Sequence, residues 1–296
     1  MTTTFCGIEL AHPIINASGT FDAIAARRAF GDALAAEFPF AAFVSKTVTL
    51  APRQGNPPPR LWELGAGMIN SIGLPNKGLE GFTRHDLPEL AELPVPLIVN
   101  VMGSSAEDVA TLARHFGERD EVAALELNVS CPNVKTGLLM GADPGETAAL
   151  LDAVRPATAK PLIVKLTPNT ASPADVAAAA EAHGADAVSL INTVRGMAMH
   201  PRRPGEAWLG GGTGGVSGPA VRAMALAQVR DVRARIALPI VGMGGVQTGR
   251  HAADLLEVGA DIVGVGTESF RDPRAGARIA AELGSLLANS GNFARA

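Results

Sequence analysis

The chain has 296 residues, of which 47% are hydrophobic and 18% charged, a composition that fits a large buried core and excludes extensive disorder. Its 25 basic and 29 acidic side chains give a formal charge of -4, and no run of Lys or Arg suits a nucleic-acid backbone. The sequence has no basic leader, no apolar run long enough for a membrane span and only two cysteines, so we expect a soluble, cytoplasmic protein with free thiols.

Short apolar runs alternate along the chain with alanine-rich amphipathic segments, as parallel strands alternate with crossover helices. No linker or low-complexity tract divides the chain, so we expect residues 1–296 to form one α/β domain, a (β/α)8 TIM barrel. A doubly wound sheet is the alternative fold. A hairpin strand at residues 5–10 is expected first, followed by barrel strands at residues 13–18, 41–49, 97–103, 123–128, 161–167, 187–193, 239–245 and 262–267.

Two helix starts carry recognisable capping signals. Ser104 followed by Glu107 has the spacing of a capping box, which predicts a helix that begins just after Ser104. Ser172 before Pro173 combines an N-cap with a proline in the first turn.

The polar residues of the predicted strands concentrate at their carboxyl-terminal ends, the face on which barrels carry their active sites. Polar side chains within apolar strands cost free energy unless they are paired, so many at equivalent positions favour one shared polar ligand. Loops at residues 50–76, 195–217 and 131–143 are long enough for a lid and a substrate site. The polar strand-end residues are Asn16, Ser18, Lys46, Thr47, Asn100, Glu126, Asn128, Lys165, Thr167, Asn192 and Thr193.

Residues 126–135 read ELNVSCPNVK, which resembles the signature of class 1 dihydroorotate dehydrogenases. The resemblance implies FMN-dependent oxidation of (S)-dihydroorotate to orotate in de novo pyrimidine biosynthesis. Other motifs resemble this family in the same order and cover nearly the whole chain: NASG at 16–19, SKT at 45–47, PRQGNP at 52–57, NSIGL at 70–74, KLTPN at 165–169, INT at 191–193, SGPA at 217–220, GMGG at 242–245 and GVGT at 264–267.

By this resemblance Cys131 is the catalytic base that removes the C5 proton of dihydroorotate, while FMN accepts hydride from C6. The thiolate is the reactive form, and an unperturbed thiol titrates near about 8.5, so Cys131 needs nearby donors or positive charge to act at neutral pH. The alternative for any lone cysteine is a buried, inert thiol, and this is the role that we assign to Cys6.

Two lysines, Lys46 and Lys165, lie near the ends of apolar strands, where an ammonium group needs a partner. The resemblance implies that Lys165 stabilises the negative charge of the reduced flavin and that Lys46 contacts both flavin and substrate. The alternative is that each lysine pairs with a structural carboxylate such as Glu126 or Asp186.

The remaining predicted contacts come from the same resemblance. Asparagines suit a pyrimidine because each offers an amide donor and an acceptor. The glycines at the last two strand ends are expected to hold the FMN phosphate, although a tight turn alone also explains them. The predicted cofactor contacts are Ser18, Lys46, Thr47, Asn100, Asn128, Lys165, Ile191, Gly218, Gly244, Gly245, Gly266 and Thr267. The predicted substrate contacts are Lys46, Asn70, Ser71, Ile72, Gly73, Leu74, Asn128, Asn133, Asn192 and Thr193.

The subgroup and the partners are also inferred from motifs. Residues 131–135 and 195–198 resemble the B-type enzymes, which pass electrons to NAD through a separate subunit that carries FAD and an iron–sulfur cluster. The chain itself has too few cysteines for such a cluster. We therefore expect that partner, assembled on a homodimer core or as a heterotetramer, and neither a nucleic-acid nor a membrane partner. Residues 138–141 and 199–203 depart from the family pattern, so the electron acceptor, NAD or fumarate, stays open.

Two other enzyme classes remain as alternatives. A dihydrouridine synthase has a flavin barrel with a similar LNxxCP motif, but the net charge of -4 argues against its tRNA substrate. A Schiff-base aldolase would use Lys165 as its nucleophile. No metal site is expected, because the six histidines are scattered. Glycines 210, 212 and 215 fit the dinucleotide pattern GxGxxG, but no predicted strand leads into them.

Overall fold

A computed structural model describes residues 2–130 and 141–289. None of the described helices is long and apolar enough to cross a lipid bilayer. The strands are β1 (Thr3–Phe5), β2 (Ile8–Leu10), β3 (Ile14–Asn16), β4 (Phe43–Val44), β5 (Leu61–Leu64), β6 (Gly67–Asn70), β7 (Leu97–Val101), β8 (Val122–Asn128), β9 (Leu162–Lys165), β10 (Ala187–Leu190), β11 (Val194–Gly196), β12 (Gly214–Ser217), β13 (Ile240–Met243) and β14 (Ile262–Val265). The α-helices are α1 (Ala23–Phe30), α2 (Asp32–Ala36), α3 (Gly78–Gly81), α4 (Leu87–Ala91), α5 (Ala106–Gly117), α6 (Pro144–Val154), α7 (Pro173–Ala182), α8 (Arg222–Arg233), α9 (Gly249–Glu257) and α10 (Ala275–Asn289).

Within the described chain, eight parallel strands form the barrel, in the order β3, β4, β7, β8, β9, β10, β13 and β14 around it. Helices follow these strands and cover the outside of the barrel, so the strands are buried on both faces, as their nearly continuous apolar sequences require. The predicted TIM barrel and its eight strand positions are confirmed. The doubly wound alternative is wrong, because consecutive barrel strands are neighbours throughout.

The barrel closes between β3 and β4 largely through one side chain, that of Asn16. The backbone contributes a bond from the Ala41 N–H to the Ile14 carbonyl oxygen at 2.9 Å. Asn16 accepts a hydrogen bond from the Val44 N–H and donates one to the Val44 carbonyl oxygen, both at 2.8 Å. Asn16 is fully buried, and its amide makes the two hydrogen bonds to Val44 that the backbone of a neighbouring strand would otherwise make. The expectation that Asn16 belongs to a ligand site is therefore wrong.

The floor of the barrel is apolar and is completed by the β1–β2 hairpin. Phe5 and Leu10 of the hairpin pack with the interior side chains of the barrel, among them Ile98 and Ile163. Thr3 pairs with Leu10 and Phe5 with Ile8, so the turn falls at Cys6 and Gly7, whose φ angles are +50° and +77°. The single strand predicted over residues 5–10 is thus a hairpin turn with a strand on each side.

The two long loops predicted at residues 50–76 and 195–217 pair with each other in a second, antiparallel sheet. Its strand order is β11-β12-β6-β5, and Val216 of β12 lies opposite Ile69 of β6. A small apolar cluster that includes Trp62 and Trp208, with ring centroids 4.8 Å apart, packs on this sheet. Gly215 belongs to β12, which supports the interpretation that the GxGxxG pattern is not a dinucleotide motif.

The predicted helix starts are correct for α7 and displaced by one residue for α5. The Ser172 side chain accepts a hydrogen bond from the Asp175 N–H, and Pro173 is the first residue of α7. The N-cap of α5 is Ser105, which accepts from the Asp108 N–H at 3.1 Å. The Ser104 N–H donates to the Asp108 carboxylate at 2.9 Å, so Asp108, and not Glu107, completes the cap.

Cys6 lies half-buried in the hairpin turn, where its thiol donates to the Asp186 carbonyl oxygen at 3.6 Å. Burial, and then the nearby charges of Asp186 and Asp261, raise the pKa of the Cys6 thiol to about 12. A thiol with this pKa carries very little thiolate at neutral pH, which supports the inert role assigned to Cys6.

We predict that Asn16→Ala strongly destabilises the chain, because it leaves the buried N–H and carbonyl of Val44 without partners. The expected loss in the free energy of unfolding is about 2–5 kcal/mol, measured by urea denaturation. Asn169→Ala is the control, since Asn169 is exposed and bonds the backbone at Thr193 and Arg195. Water can replace those bonds, so the control should lose less than about 1 kcal/mol. Equal losses would contradict the closure role of Asn16.

We predict that Cys6 reacts slowly with a disulfide reagent in the folded Cys131→Ser variant, in which it is the remaining thiol. At pH 8 the labelling should be roughly a thousandfold slower than in guanidinium, because the raised pKa of Cys6 suppresses the thiolate. The rate should climb as the pH approaches 11. Similar rates in the folded and unfolded chain would mean that the thiol is accessible and unperturbed.

Candidate active site

A cavity of about 760 Å³ opens at the carboxyl-terminal ends of the barrel strands. Its volume lies in the upper part of the range of roughly 300–1,000 Å³ that is usual for small-molecule sites. Residues that end or follow the barrel strands form its floor and walls, and residues of β5, β6 and β12 complete it. The face that barrels use for catalysis therefore carries a cavity in this chain.

The structure brings most of the predicted contact residues together in this cavity. Asn100, Ser71 and Gly73 do not line it, while Cys131 and Asn133 lie outside the described residues. The predicted residues that line it are Ser18, Lys46, Thr47, Asn70, Ile72, Leu74, Asn128, Lys165, Ile191, Asn192, Thr193, Gly218, Gly244, Gly245, Gly266 and Thr267.

Ser71 and Gly73 face away from the cavity because Asn56 packs behind them. The Asn56 side chain donates a hydrogen bond to the Ser71 hydroxyl at 2.9 Å. A Cβ atom on Gly73 would lie 2.4 Å from the Asn56 backbone nitrogen. Ile72 and Leu74 alternate with these two residues and line the cavity.

Glycines form one wall of the cavity, at the ends of β13 and β14. A Cβ atom on Gly244 or Gly245 would lie 2.7 Å from a Cβ atom of α8, so packing alone demands glycine at both positions. Gly266 differs, because a Cβ atom there would meet nothing closer than the Ala17 methyl group at 3.6 Å. The protein leaves room for a side chain at residue 266, and the backbone angles there, φ -110° and ψ -102°, lie outside the regions that residues with a side chain favour.

The two lysines at the strand ends have different surroundings. Lys165 is 6% exposed, and its Nζ atom lies 3.6 Å from an oxygen of the buried Glu126 carboxylate. Lys46 is exposed, lines the cavity and forms no ion pair with a described carboxylate. Of the two alternative partners, Glu126 pairs with Lys165, whereas Asp186 pairs with Arg155 at 2.7 Å. Lys165 thus has a structural partner and also lines the cavity.

Two cavity asparagines hold Ser130, the last described residue before Cys131. The Asn192 amide donates to the Ser130 hydroxyl at 2.9 Å, and the Asn128 side-chain oxygen accepts from the Ser130 N–H at 3.3 Å. Asn70 reaches the site from β6, where its amide donates to the Gly215 carbonyl oxygen at 3.3 Å. One cavity therefore contains the amide groups of three asparagines: Asn128 from β8, Asn192 from the loop after β10, and Asn70 from the second sheet.

Several cavity residues are not apparent from the sequence. Trp62 and Met68 reach the cavity because β6, which carries β5 on its other edge, pairs with β12. No local pattern reveals this pairing of two distant loops. Glu268 also lines the cavity, and its carboxylate accepts from Gln247 at 3.0 Å and from Arg278 at 3.3 Å. In the sequence, Glu268 is simply an acidic residue shortly after an apolar strand, so these hydrogen bonds could not be predicted.

Comparisons with known proteins identify the family. The family model for dihydroorotate dehydrogenase matches residues 1–287. A "Dihydroorotate dehydrogenase B (NAD(+)), catalytic subunit" from Geobacter metallireducens is 41% identical, over 98% of this chain and 94% of that protein. A protein of the same name from Desulforudis audaxviator is 44% identical, over 96% and 92%. A "Putative dihydroorotate dehydrogenase A (fumarate)" from Solibacter usitatus is 42% identical, over 98% and 94%. The chain belongs to the dihydroorotate dehydrogenase family of oxidoreductases.

Proposed function

We propose that this chain is the catalytic subunit of an FMN-dependent enzyme that oxidises (S)-dihydroorotate to orotate in pyrimidine biosynthesis. The observation that carries the proposal is the meeting of Lys46, Lys165 and three asparagines in one cavity of a chain from this family. The lysines suit an anionic cofactor and a carboxylate substrate, and the amides suit a pyrimidine ring. Both named B-type relatives are catalytic subunits of dihydroorotate dehydrogenases, which supports the same assignment.

The cavity suits FMN in its size, in the glycines at the ends of β13 and β14, and in two lysines that can pair with an anionic group. When bound, FMN supplies the acceptor for the hydride from C6. Gly244, Gly245, Gly266 and Thr267 would hold its phosphate. The remaining contacts would come from Ser18, Lys46, Thr47, Asn100, Asn128, Lys165, Ile191 and Gly218.

Different residues of the chain then bind the substrate and remove its proton. Cys131 removes the C5 proton as general base. Asn128 and Asn192 bind the adjacent Ser130, so they also hold the chain at the point where it leads to Cys131. Lys46, which has no described carboxylate partner, binds the substrate carboxylate, and Asn70, Asn133 and Thr193 complete the substrate contacts.

The electrons leave through a partner subunit that carries FAD and an iron–sulfur cluster, with NAD as the final acceptor. The names of the Geobacter and Desulforudis relatives, which include NAD(+) and the words catalytic subunit, support NAD as the acceptor and a separate partner subunit. The cofactors of that partner are inferred from the resemblance of residues 131–135 and 195–198 to the B-type enzymes. The Solibacter relative, named for fumarate, has similar identity, so overall identity does not decide the acceptor. Adding NAD and fumarate separately to the reduced enzyme, with and without the partner subunit, decides it.

We predict that the purified chain binds FMN, becomes yellow and loses its flavin absorbance when mixed anaerobically with dihydroorotate. The bleaching should be complete within one turnover, because no acceptor is present to reoxidise the flavin. A colourless protein in excess FMN would contradict the proposal. Trapping of a carbonyl substrate on Lys165 by borohydride would instead support the aldolase alternative.

We predict that Cys131→Ser slows flavin bleaching by dihydroorotate at neutral pH about a hundredfold or more, while FMN stays bound, because a serine hydroxyl is a much weaker base. Cys6→Ser is the matched control and should react at the normal rate, since Cys6 lies in the hairpin at the opposite end of the barrel. The measurement is stopped-flow absorbance under anaerobic conditions. Unchanged bleaching in Cys131→Ser would remove Cys131 from the mechanism.

A further inference from the structure

A layer of buried polar side chains lies in the barrel directly above its apolar floor. Inward and outward positions alternate along each barrel strand, so residues two apart in sequence stack in successive interior layers. Four floor residues, Ile98, Ala124, Ile163 and Ala187, are each followed two positions later by a polar residue. The polar residues are Asn100, Glu126, Lys165 and Ser189, all less than 9% exposed.

Glu126 is the centre of this layer. One of its carboxylate oxygens accepts a hydrogen bond from the Ser189 hydroxyl at 2.7 Å. The other accepts from the Asn100 amide at 2.5 Å and lies 3.6 Å from the Lys165 ammonium. Glu126 is 3% exposed, and it does not line the cavity, whereas Lys165 does. The carboxylate is therefore held behind the lysine, on the side away from the cavity.

The position of the Glu126 carboxylate determines how strong a positive potential Lys165 produces in the cavity. A buried ammonium without a counter-charge is strongly unfavourable, and a rigid carboxylate at this distance compensates it. The same carboxylate offsets part of the positive potential that Lys165 presents to an anion in the cavity. The Asn100 amide, on the carboxylate oxygen nearest to Lys165, holds that oxygen in place, and the Ser189 hydroxyl binds the other oxygen.

We propose that Glu126 is a positioning residue that fixes the Lys165 ammonium at the cavity floor and limits the positive charge acting on the bound cofactor and substrate. The inference rests on the proposed function for its ligands, FMN and orotate. Glu126 touches neither of them in this assignment and acts through Lys165. Its role is to keep the reduced, anionic flavin from being too stable to pass on its electrons, and to keep the anionic product from binding too tightly to leave.

Glu126→Gln tests this proposal, because it keeps the size of the side chain and removes its charge. With Lys165 uncompensated, the preference of the protein for reduced over oxidised FMN should rise about tenfold, which is about 30 mV for a two-electron couple. Orotate should bind the oxidised holoenzyme about tenfold more tightly, measured from the perturbation of the flavin spectrum. Ser189→Ala is the control, since it removes one hydrogen bond from Glu126 and keeps the charge, and its potential should match the unmodified enzyme.

An unchanged flavin potential and orotate affinity in Glu126→Gln, with a lower melting temperature, would make Glu126 merely structural and overturn the proposal. If that variant fails to fold or to bind FMN, Lys165→Met and the double variant Lys165→Met/Glu126→Gln are compared by thermal denaturation of the full chain without FMN. Lys165→Met leaves a buried carboxylate unpaired, so the double variant should melt at the higher temperature. A double variant that melts no higher would also overturn the proposal. This comparison needs no flavin, so its result is independent of whether the enzyme oxidises dihydroorotate.

Discussion

Closing eight short parallel strands into a barrel means that each strand is covered on both faces, by helices outside and by other strands inside. In this chain the floor is filled by apolar side chains and the hairpin, and polar groups begin one layer higher, with Asn100, Glu126, Lys165 and Ser189. These groups are buried, so each of them needs a polar partner close by to offset the loss of hydration. The hydrogen bonds around Glu126 satisfy most of this requirement, and the unpaired oxygen of Asn100 is the exception among them.

The two lysines follow from this layering. Lys165 stands one layer above the apolar floor, so it needs the Glu126 carboxylate to remain buried. Lys46 follows the end of β4 and lines the cavity, where it is exposed and has no described carboxylate partner. Lys165, whose charge is offset by Glu126, suits a cofactor that remains bound through turnover. Lys46, which has no described carboxylate partner, suits a substrate that must bind and leave. The roles that we propose for the two lysines thus differ because one side chain is buried in the barrel and the other is exposed.

The barrel and the face that carries the cavity could be predicted from the sequence, because apolar strand runs and polar strand ends are local patterns. The closure through Asn16 could not, since an asparagine at a strand end has the same appearance whether it binds a ligand or a neighbouring strand. The second sheet is not predictable from local patterns either, because its strands come from loops more than a hundred residues apart. The cap of α5 was displaced by one residue, because Ser104 and Ser105 are both good caps and the choice depends on Asp108. For Lys165 the sequence offers a ligand contact or a structural carboxylate partner, and the structure combines both: the side chain lines the cavity and pairs with Glu126.

Both tryptophans of the chain, Trp62 and Trp208, lie in the small apolar cluster of the second sheet, and Trp62 also lines the cavity. Their rings are in contact, so they share one environment rather than sampling the molecule at large. The ultraviolet emission of this protein is consequently a local probe of the cavity mouth, supplied by the chain itself without any label. A chromophore that absorbs near the tryptophan emission and enters the cavity would lie close enough to quench it by energy transfer.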